Sequence, residues 1–343
     1  MNEEKSKALI FKKGNDVRRE VKEIEEIEGI EVVRSIKYLG IEINDKADMF
    51  ESQREVMMEK AQRMAKNTYA VIEKSCNKVL MGKTFWKGVA LPHILMGNQV
   101  VVFNQEEVES LQVIENGVYR KILGGTRDTV LETLRGEIGS SLMSSRIMEN
   151  KILFMKNMQE GENELMKEIV RNMKEDKDNK WMSGVDKYLR KLGMNREDIG
   201  RMDKNEIKRR IKEYDSNIWK SKLMGKKKAK RYYENKDVMK EERIYDNRFS
   251  SVLLFRARTN VLGLNDRQRW KKGDTSCRLC GYEYEDLEHF LLDCKKLEGG
   301  RNKELIERKM VNGEDTVGRL LFDFADGDLE ELKRMLQEMW SIR

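Results

Sequence analysis

The chain has 343 residues, 39% of them hydrophobic, which is enough for two or three packed domains and too apolar for a disordered chain. Charged residues make up 38%, with 68 Lys and Arg against 61 Asp and Glu, so the net +7 is a small excess on a heavily charged surface. No stretch reaches the roughly 18 to 20 uninterrupted apolar residues of a membrane span, and the start, Met1-Asn-Glu-Glu-Lys5, has no signal-peptide apolar region. The expectation is an intracellular protein of nucleus or cytoplasm with no membrane partner. A single proline, Pro92, against an average usage of about 5% favours long helices over turn-rich β folds. A mainly α protein is predicted.

The first forty-odd residues read as strands and turns. Ala8-Leu-Ile-Phe11 is a short apolar run, and Ile36-Lys-Tyr38-Leu39-Gly40-Ile-Glu-Ile43 alternates around a glycine, which predicts a hairpin too small to fold alone. From Asp48 the pattern turns helical. Phe50, Met57, Ala61, Met64, Thr68, Val71 and Ile72 share one stripe, with Asp48 or Asn44 as the N-cap. A second helical run covers about 79–103, kinked near Pro92. A third covers 106–123, with Val108, Leu111, Ile114, Val118 and Ile122 as its stripe and Gly124-Gly125 as its stop. His93 has no other candidate ligand near it in sequence and reads as structural. Residues 126–200 read as further helices joined by polar turns, among them 145–159 and 164–173.

Residues 204–231 hold twelve Lys and Arg against three Asp and Glu, a local +9 that leaves the remainder of the chain slightly acidic. Ile207, Ile211, Tyr214, Ile218, Trp219 and Leu223 step along this stretch, so an amphipathic helix is predicted over 204–233. Its outer face would carry Lys208, Arg209, Arg210, Lys226, Lys227 and Lys228. Such a face can neutralise phosphates and release counterions, which predicts salt-sensitive, sequence-blind binding of RNA or DNA. A solvated surface helix or a nuclear-localisation run is the plainer alternative. Arg256 and Arg258, followed by Arg267, Arg269, Lys271 and Lys272, form a second basic approach to the residues that come next.

Those residues are Cys277, Cys280, His289 and Cys294, spaced C-x2-C-x8-H-x4-C. The chain has four cysteines and two histidines, and four of these six fall within 277–294. Three thiolates and one imidazole make a closed tetrahedral zinc site, in which a CxxC turn presents two sulfurs to one ion. Four protein ligands leave no open position for catalysis, so one structural Zn2+ is the expectation. The alternative is a pair of buried thiols beside an unrelated histidine. A helix from about 286 to 292 should carry His289, with Cys294 just past its last turn and Leu287, Phe290, Leu291 and Leu292 packing beneath. Helices near 301–310 and 329–340 are expected to cover this module.

Taken together, these stretches resemble the reverse transcriptases of LINE-type non-LTR retrotransposons, in the portion downstream of the catalytic aspartates. Asn2-Glu-Glu-Lys5-Ser-Lys-Ala-Leu-Ile-Phe11 is similar to the palm motif whose lysine helps the incoming nucleotide, and Lys5 is the matching position. Tyr38, Leu39 and Gly40 match the hairpin that grips the primer end. The helices of 48–123, with Leu91-Pro92, Met96-Gly97 and Tyr119-Arg120-Lys-Ile-Leu-Gly124, are similar to the family's thumb. Leu253-Leu-Phe-Arg256-Ala-Arg258-Thr-Asn and the CCHC knuckle resemble its C-terminal nucleic-acid-binding part.

The resemblance implies a palm remnant at 1–47, a helical thumb at 48–125, a helical basic connector at 126–240 and a C-terminal domain with a zinc knuckle at 241–343. It implies element RNA and target DNA as partners, together with a parent polymerase segment. The acidic pair that holds two Mg2+ ions in a complete polymerase precedes these motifs in the family, so no complete catalytic set is expected and the isolated chain is predicted inactive. Asp323-Phe-Ala-Asp326-Gly327-Asp328 mimics that pair but has glycine where the second adjacent aspartate belongs. A domesticated zinc-stapled module that binds proteins or nucleic acid is the alternative.

Overall fold

Short strands and then helices follow the switch in hydrophobic period from two to about four. The computed structural model describes residues 6–11, 25–46, 48–266 and 273–343. Strands β1 (Glu26–Ile27) and β2 (Ile30–Glu31) form one antiparallel hairpin, and β3 (Ser35–Tyr38) and β4 (Ile41–Asn44) form another. Helices follow: α1 (Glu51–Lys74), α2 (Lys78–Phe85), α3 (Leu91–Ile94), α4 (Gln105–Leu123), α5 (Leu131–Ile138), α6 (Met143–Glu160), α7 (Glu164–Glu175) and α8 (Lys180–Lys191). The chain continues with α9 (Arg196–Arg201), α10 (Lys204–Met224), α11 (Lys230–Asn235), α12 (Phe249–Arg258), α13 (Lys303–Lys309), α14 (Thr316–Phe322) and α15 (Asp328–Ile342). The described chain is thus mainly helical with two small hairpins. None of its helices is long and apolar enough to cross a membrane.

The described residues pack as two compact units. One comprises Met1–Asn67, Trp86–Ile114 and Leu142–Tyr214, and the other Thr68–Phe85, Glu115–Ser141 and Asp215–Arg343. In the first, the β3–β4 turn places Leu39 at φ 47° and Gly40 at φ 83°. Two successive left-handed residues match the twist of a two-residue hairpin, and glycine at the second position avoids the steric cost there. Arg54 on α1 pairs with Asp48 at 2.8 Å and Glu107 at 2.7 Å, and Asp48 also accepts from the Phe50 N–H at the start of this helix.

The main core of this unit joins Met148, Ile152 and Met155 of α6 to Val170, Trp181, Val185, Leu189, Ile199, Ile207 and Ile211. Asn163, Asn179 and Asn195 each cap the helix that follows, the last in a reciprocal box with Asp198. These asparagines recur every sixteen residues, a local signal of helix starts within a stretch that otherwise reads only as polar turns.

Pro92 explains a departure from the expected second run. Having no N–H, it cannot bond the carbonyl four residues back, and its ring would clash there. The chain meets this with a π turn at Trp86–Ala90 immediately before α3. The helix then stops at Ile94, well short of 103, where Gly97 turns left-handed (φ 83°) ahead of the β-branched run Val100-Val101-Val102. Asn104 and Glu107 cap α4 reciprocally at 2.9 and 2.8 Å. The basic stretch is likewise not one helix over 204–233: α10 ends at Met224, Gly225 follows, and α11 starts at Lys230. His93 is exposed on α3.

In the second unit, Trp219, Leu223, Ala229, Tyr232 and Met239 form a core cluster, and the Trp219 Nε1–H donates to the Glu132 carbonyl at 2.7 Å. Beside it, Arg135 and Asp215 pair at 3.0 Å in full burial. Helix α12 packs on α14 and α15, and α14 also touches α11 and α13.

Lys151 of α6, in the first unit, is 2% exposed, its Nζ lies 5.8 Å from the Trp181 ring centroid, and burial pushes its pKa from 10.5 down to about 8. The folded state therefore holds this proton less tightly than the unfolded chain. The resulting destabilisation is complete below pH 8 and fades as pH rises toward 10.5, so this lysine makes stability increase with pH across that window. Lys151→Met is expected to raise stability at pH 7 by about 1 to 3 kcal/mol, with the gain shrinking above pH 10. Denaturant unfolding at both pH values checks this, and a less stable variant at pH 7 would refute it.

Candidate metal centre

Cys277 and Cys280 sit on a turn closed by two backbone bonds, Cys277 N–H to Tyr282 O at 2.8 Å and Gly281 N–H to Cys277 O at 2.9 Å. The residue after the second thiol must turn left-handed, and Gly281 does so at φ 73°. The other two ligands come from a short helix over 287–293, begun by the Asp286 carboxylate, which accepts from the His289 N–H at 2.8 Å. His289–Asp293 is a π turn, closed by the Cys294 N–H on the His289 carbonyl at 2.8 Å. In an α-helix, residues five apart point to different sides. The wider turn brings His289 and Cys294 to the same side, which is why an x4 spacing coexists with one shared site.

The four ligand atoms lie within 4.8 Å of one another. Cys277 Sγ and Cys294 Sγ are 3.8 Å apart, and Cys280 Sγ is 3.3 Å from His289 Nε2. A tetrahedral ion with sulfur at about 2.3 Å and nitrogen at about 2.0 Å sets such edges at about 3.8 and 3.5 Å. The donor set and its spacing therefore fit one metal ion. Cys277, His289 and Cys294 are buried, while Cys280 is on the open side. Burial pushes the Cys294 thiol up to about 11. For Cys280 burial acts the same way, but the Tyr282 backbone hydrogen bond and the neighbouring thiols outweigh it and bring that thiol below its ordinary value. At neutral pH an incoming cation must displace the Cys294 proton.

The site is braced by residues that carry no metal-ligand signature. Arg301 donates to the carbonyls of Leu291 (2.9 Å) and Cys294 (2.8 Å), satisfying the end of the π turn. Glu285, 1% exposed, pairs with Arg343 at 2.7 Å through both oxygens and accepts from the Asn265 N–H at 2.9 Å. Phe290 meets Trp340 of α15 edge-on at 6.1 Å, so the last helix does cover this module. Leu287, Phe290 and Leu291 are buried beneath the site and Leu292 is half-buried. The His289 ring stacks on Tyr282 at 4.7 Å and 8°, and its Nδ1 is buried with no hydrogen-bond partner among the described residues. Stacking thus orients this imidazole in place of the outer hydrogen bond usual for metal-bound histidine. Sequence reading missed Tyr282, Arg301 and Arg343, because their roles depend on the folded turn.

The other sequence-selected positions are dispersed. Lys5, Arg267, Arg269, Lys271 and Lys272 lie outside the described residues. Tyr38 and Leu39 are exposed at the β3–β4 turn, 62% and 82%, beside Gly40. Lys208, Arg209 and Arg210 belong to the first unit, where Arg209 pairs with Glu206 and Glu213 and Arg210 with Glu206. Lys226 and Lys227 are exposed in the second unit, and Lys228 Nζ donates to the Asp128 carbonyl at 3.0 Å. Arg256 donates to the Gly124 carbonyl at 2.9 Å.

Arg258 requires a correction. It is 4% exposed, pairs with the fully buried Glu137 at 3.0 Å and lies 4.1 Å from the Phe322 ring centroid. Its guanidinium holds the core together and is not a surface contact for phosphate. No protein-family model, curated protein or solved structure matches the chain.

Titration of the reduced protein with Co2+ is expected to saturate at one ion per chain, with thiolate-to-metal absorption and release of protons. Tyr282→Ala should weaken that affinity by about tenfold. Unchanged affinity would show that the stacked ring does not position His289.

Proposed function

We propose that the chain is a nucleic-acid-binding protein stapled by one structural zinc ion, corresponding to the C-terminal part of a LINE-type reverse transcriptase. The observation that carries the binding reading is the set of exposed cations without an acidic partner. Lys212, Lys222, Lys226 and Lys227 are exposed and form no ion pair among the described residues. Like-charged side chains left uncompensated on one stretch repel one another, and a polyanion relieves this by releasing its own counterions. The ordered motifs support the family reading: the Tyr38-Leu39-Gly40 turn on a hairpin, the helices of 51–123, and the C-x2-C-x8-H-x4-C group at the end. The proposal is one of binding, and no polymerase step is assigned to the chain.

Within this reading zinc acts as a staple. Around the ligands, among the described residues, Asp274, Glu283, Asp286 and Asp293 are exposed without an ion pair against the exposed bases Arg278, Lys295 and Lys296, while Glu288 pairs with Arg231 and Glu298 with Lys303. This near-balance offers phosphate no concentrated charge, so the ion contributes by closing the turn and ordering the helices packed on it. The mixed charges suit a second reading, a zinc-stapled module that docks a protein partner.

Affinity for labelled RNA or DNA should fall steeply with salt. Replacing Lys222, Lys226 and Lys227 together by Gln should flatten the slope of log K against log salt by about 2 to 3. Fluorescence anisotropy across a salt series measures both quantities. Equal affinity at low and high salt would remove the nucleic-acid reading and leave the protein-docking one.

A further inference from the structure

Three segments of the second unit meet just past the end of α4. Val252 and Arg256, four apart on one side of α12, and Asn260 just past its end run along the turn of residues 124–129. Val252 packs so closely on Gly124 that a Cβ there would stand 2.6 Å from Val252 Cγ1. One helical turn on, Arg256 Nε–H donates to the Gly124 carbonyl at 2.9 Å, and the Asn260 amide donates to the Lys228 carbonyl at 3.4 Å. Lys228 Nζ in turn donates to the Asp128 carbonyl at 3.0 Å, which draws the connection between α10 and α11 onto the same turn.

The meeting gathers cations that are scattered in the sequence. Arg127, Lys226 and Lys227 are exposed, Arg256 is half-buried, and none of the four forms an ion pair among the described residues. The acid on the turn is Asp128, beside Arg127. Arg256 differs from the lysines in how it is held. Its Nε carries the bond that caps α4, and its two terminal nitrogens have no hydrogen-bond partner among the described residues. Burial alone lowers its pKa. A guanidinium anchored at Nε presents its remaining N–H groups as a fixed fork, which matches the paired oxygens of a phosphate. Capping α4 uses one donor and leaves that fork free. A nucleic-acid strand repeats its charge about every 3.4 Å of rise, so one phosphate can occupy the fork while its neighbours meet Arg127, Lys226 and Lys227. The carboxylates of an acidic protein carry no such repeat.

We infer that the 124–129 turn, the Arg256 side of α12 and the connection after α10 form one docking surface for a nucleic-acid backbone, with a phosphate held in the Arg256 fork. This rests on the nucleic-acid reading proposed above and deepens it, since it joins Arg127 and Arg256 to the lysines and gives a charged stretch one oriented contact.

The test follows the anisotropy of a labelled RNA across a salt series on the full chain, on Arg256→Lys and on Arg127→Gln. Lysine keeps the charge and loses the fork, so Arg256→Lys should lower affinity about tenfold with the salt slope unchanged. Arg127→Gln should flatten the slope of log K against log salt by about 1. It should melt at the wild-type temperature, because Arg127 is exposed. Arg256 also caps α4, so the melting temperature of its variant is recorded beside its affinity, and Arg127→Gln decides the matter if that variant unfolds. Wild-type affinity and slope in both variants would overturn this surface and leave the lysine reading standing. Poly-glutamate that displaces the RNA as well as unlabelled RNA does would overturn the phosphate assignment in favour of an acidic protein partner. Wild-type protein without salt-dependent RNA binding would overturn both readings at once.

Discussion

The second unit depends on a carboxylate from which water is excluded. Glu137 of α5 is fully buried, and its charge is tolerable only because it is surrounded by donors: Arg258 of α12 at 3.0 Å and the hydroxyl of Tyr245. Burial raises the carboxyl, yet Arg258, Lys236 and Tyr245 together bring it below its ordinary value. Arg258 in turn donates to the Leu321 carbonyl of α14, and the Glu137 carbonyl accepts from the Glu242 N–H at 2.9 Å. Two helices, a connecting segment and a third helix are thus fixed by one ion pair. Removing either partner strands the other charge, at a cost of about 3 to 5 kcal/mol. The pair therefore secures one arrangement of these elements more than it adds net stability.

That arrangement marks the limit of what the sequence discloses. Arg258 stands in a basic, aromatic stretch and reads as a phosphate contact, but its partner is 121 residues away. Arg135 and Asp215, 80 residues apart, are equally silent. A net local charge counts cations; it does not reveal which are consumed in the interior. What the sequence discloses well is local. The stripe of Met57, Ala61, Met64, Thr68 and Ile72 is buried on α1, the glycine pair after Leu123 does end α4, and the Leu39-Gly40 turn joins two strands. The four metal-ligand candidates were legible because ligation imposes its own spacing.

Two local features that periodicity does not foresee are the π turns. Pro92 was expected to kink a helix, and it did so through a widened turn ahead of α3, after which Gly97 and a β-branched run ended the helix early. At His289–Asp293 a widened turn brings two candidate ligands five residues apart to one side. Hydrophobic stripes assume 3.6 residues per turn, so a local change of pitch escapes them. At Pro92 the missing N–H overrides the ordinary pitch, and at His289–Asp293 the wider pitch gathers the four donors into a group that fits one ion. Arg301 then caps the widened turn at the metal site with a side chain that carries no motif.

These observations bear on which charges are left for a ligand. The excess of +7 is smaller than the +9 carried by residues 204–231 alone, so the rest of the chain would repel a polyanion weakly on average. Averages mislead here as well. Within the 204–231 stretch, Glu206 and Glu213 occupy Arg209 and Arg210, whereas Lys222, Lys226 and Lys227 remain exposed without an ion pair among the described residues. Around the candidate metal ligands the charges without an ion pair are nearly balanced among the described residues, Asp274, Glu283, Asp286 and Asp293 against Arg278, Lys295 and Lys296. Lysines without an ion pair thus gather at the end of α10 and just after it, whereas the turn that could hold a metal ion carries no such excess. A charge count over a stretch therefore says less about a ligand than the ion pairs inside it.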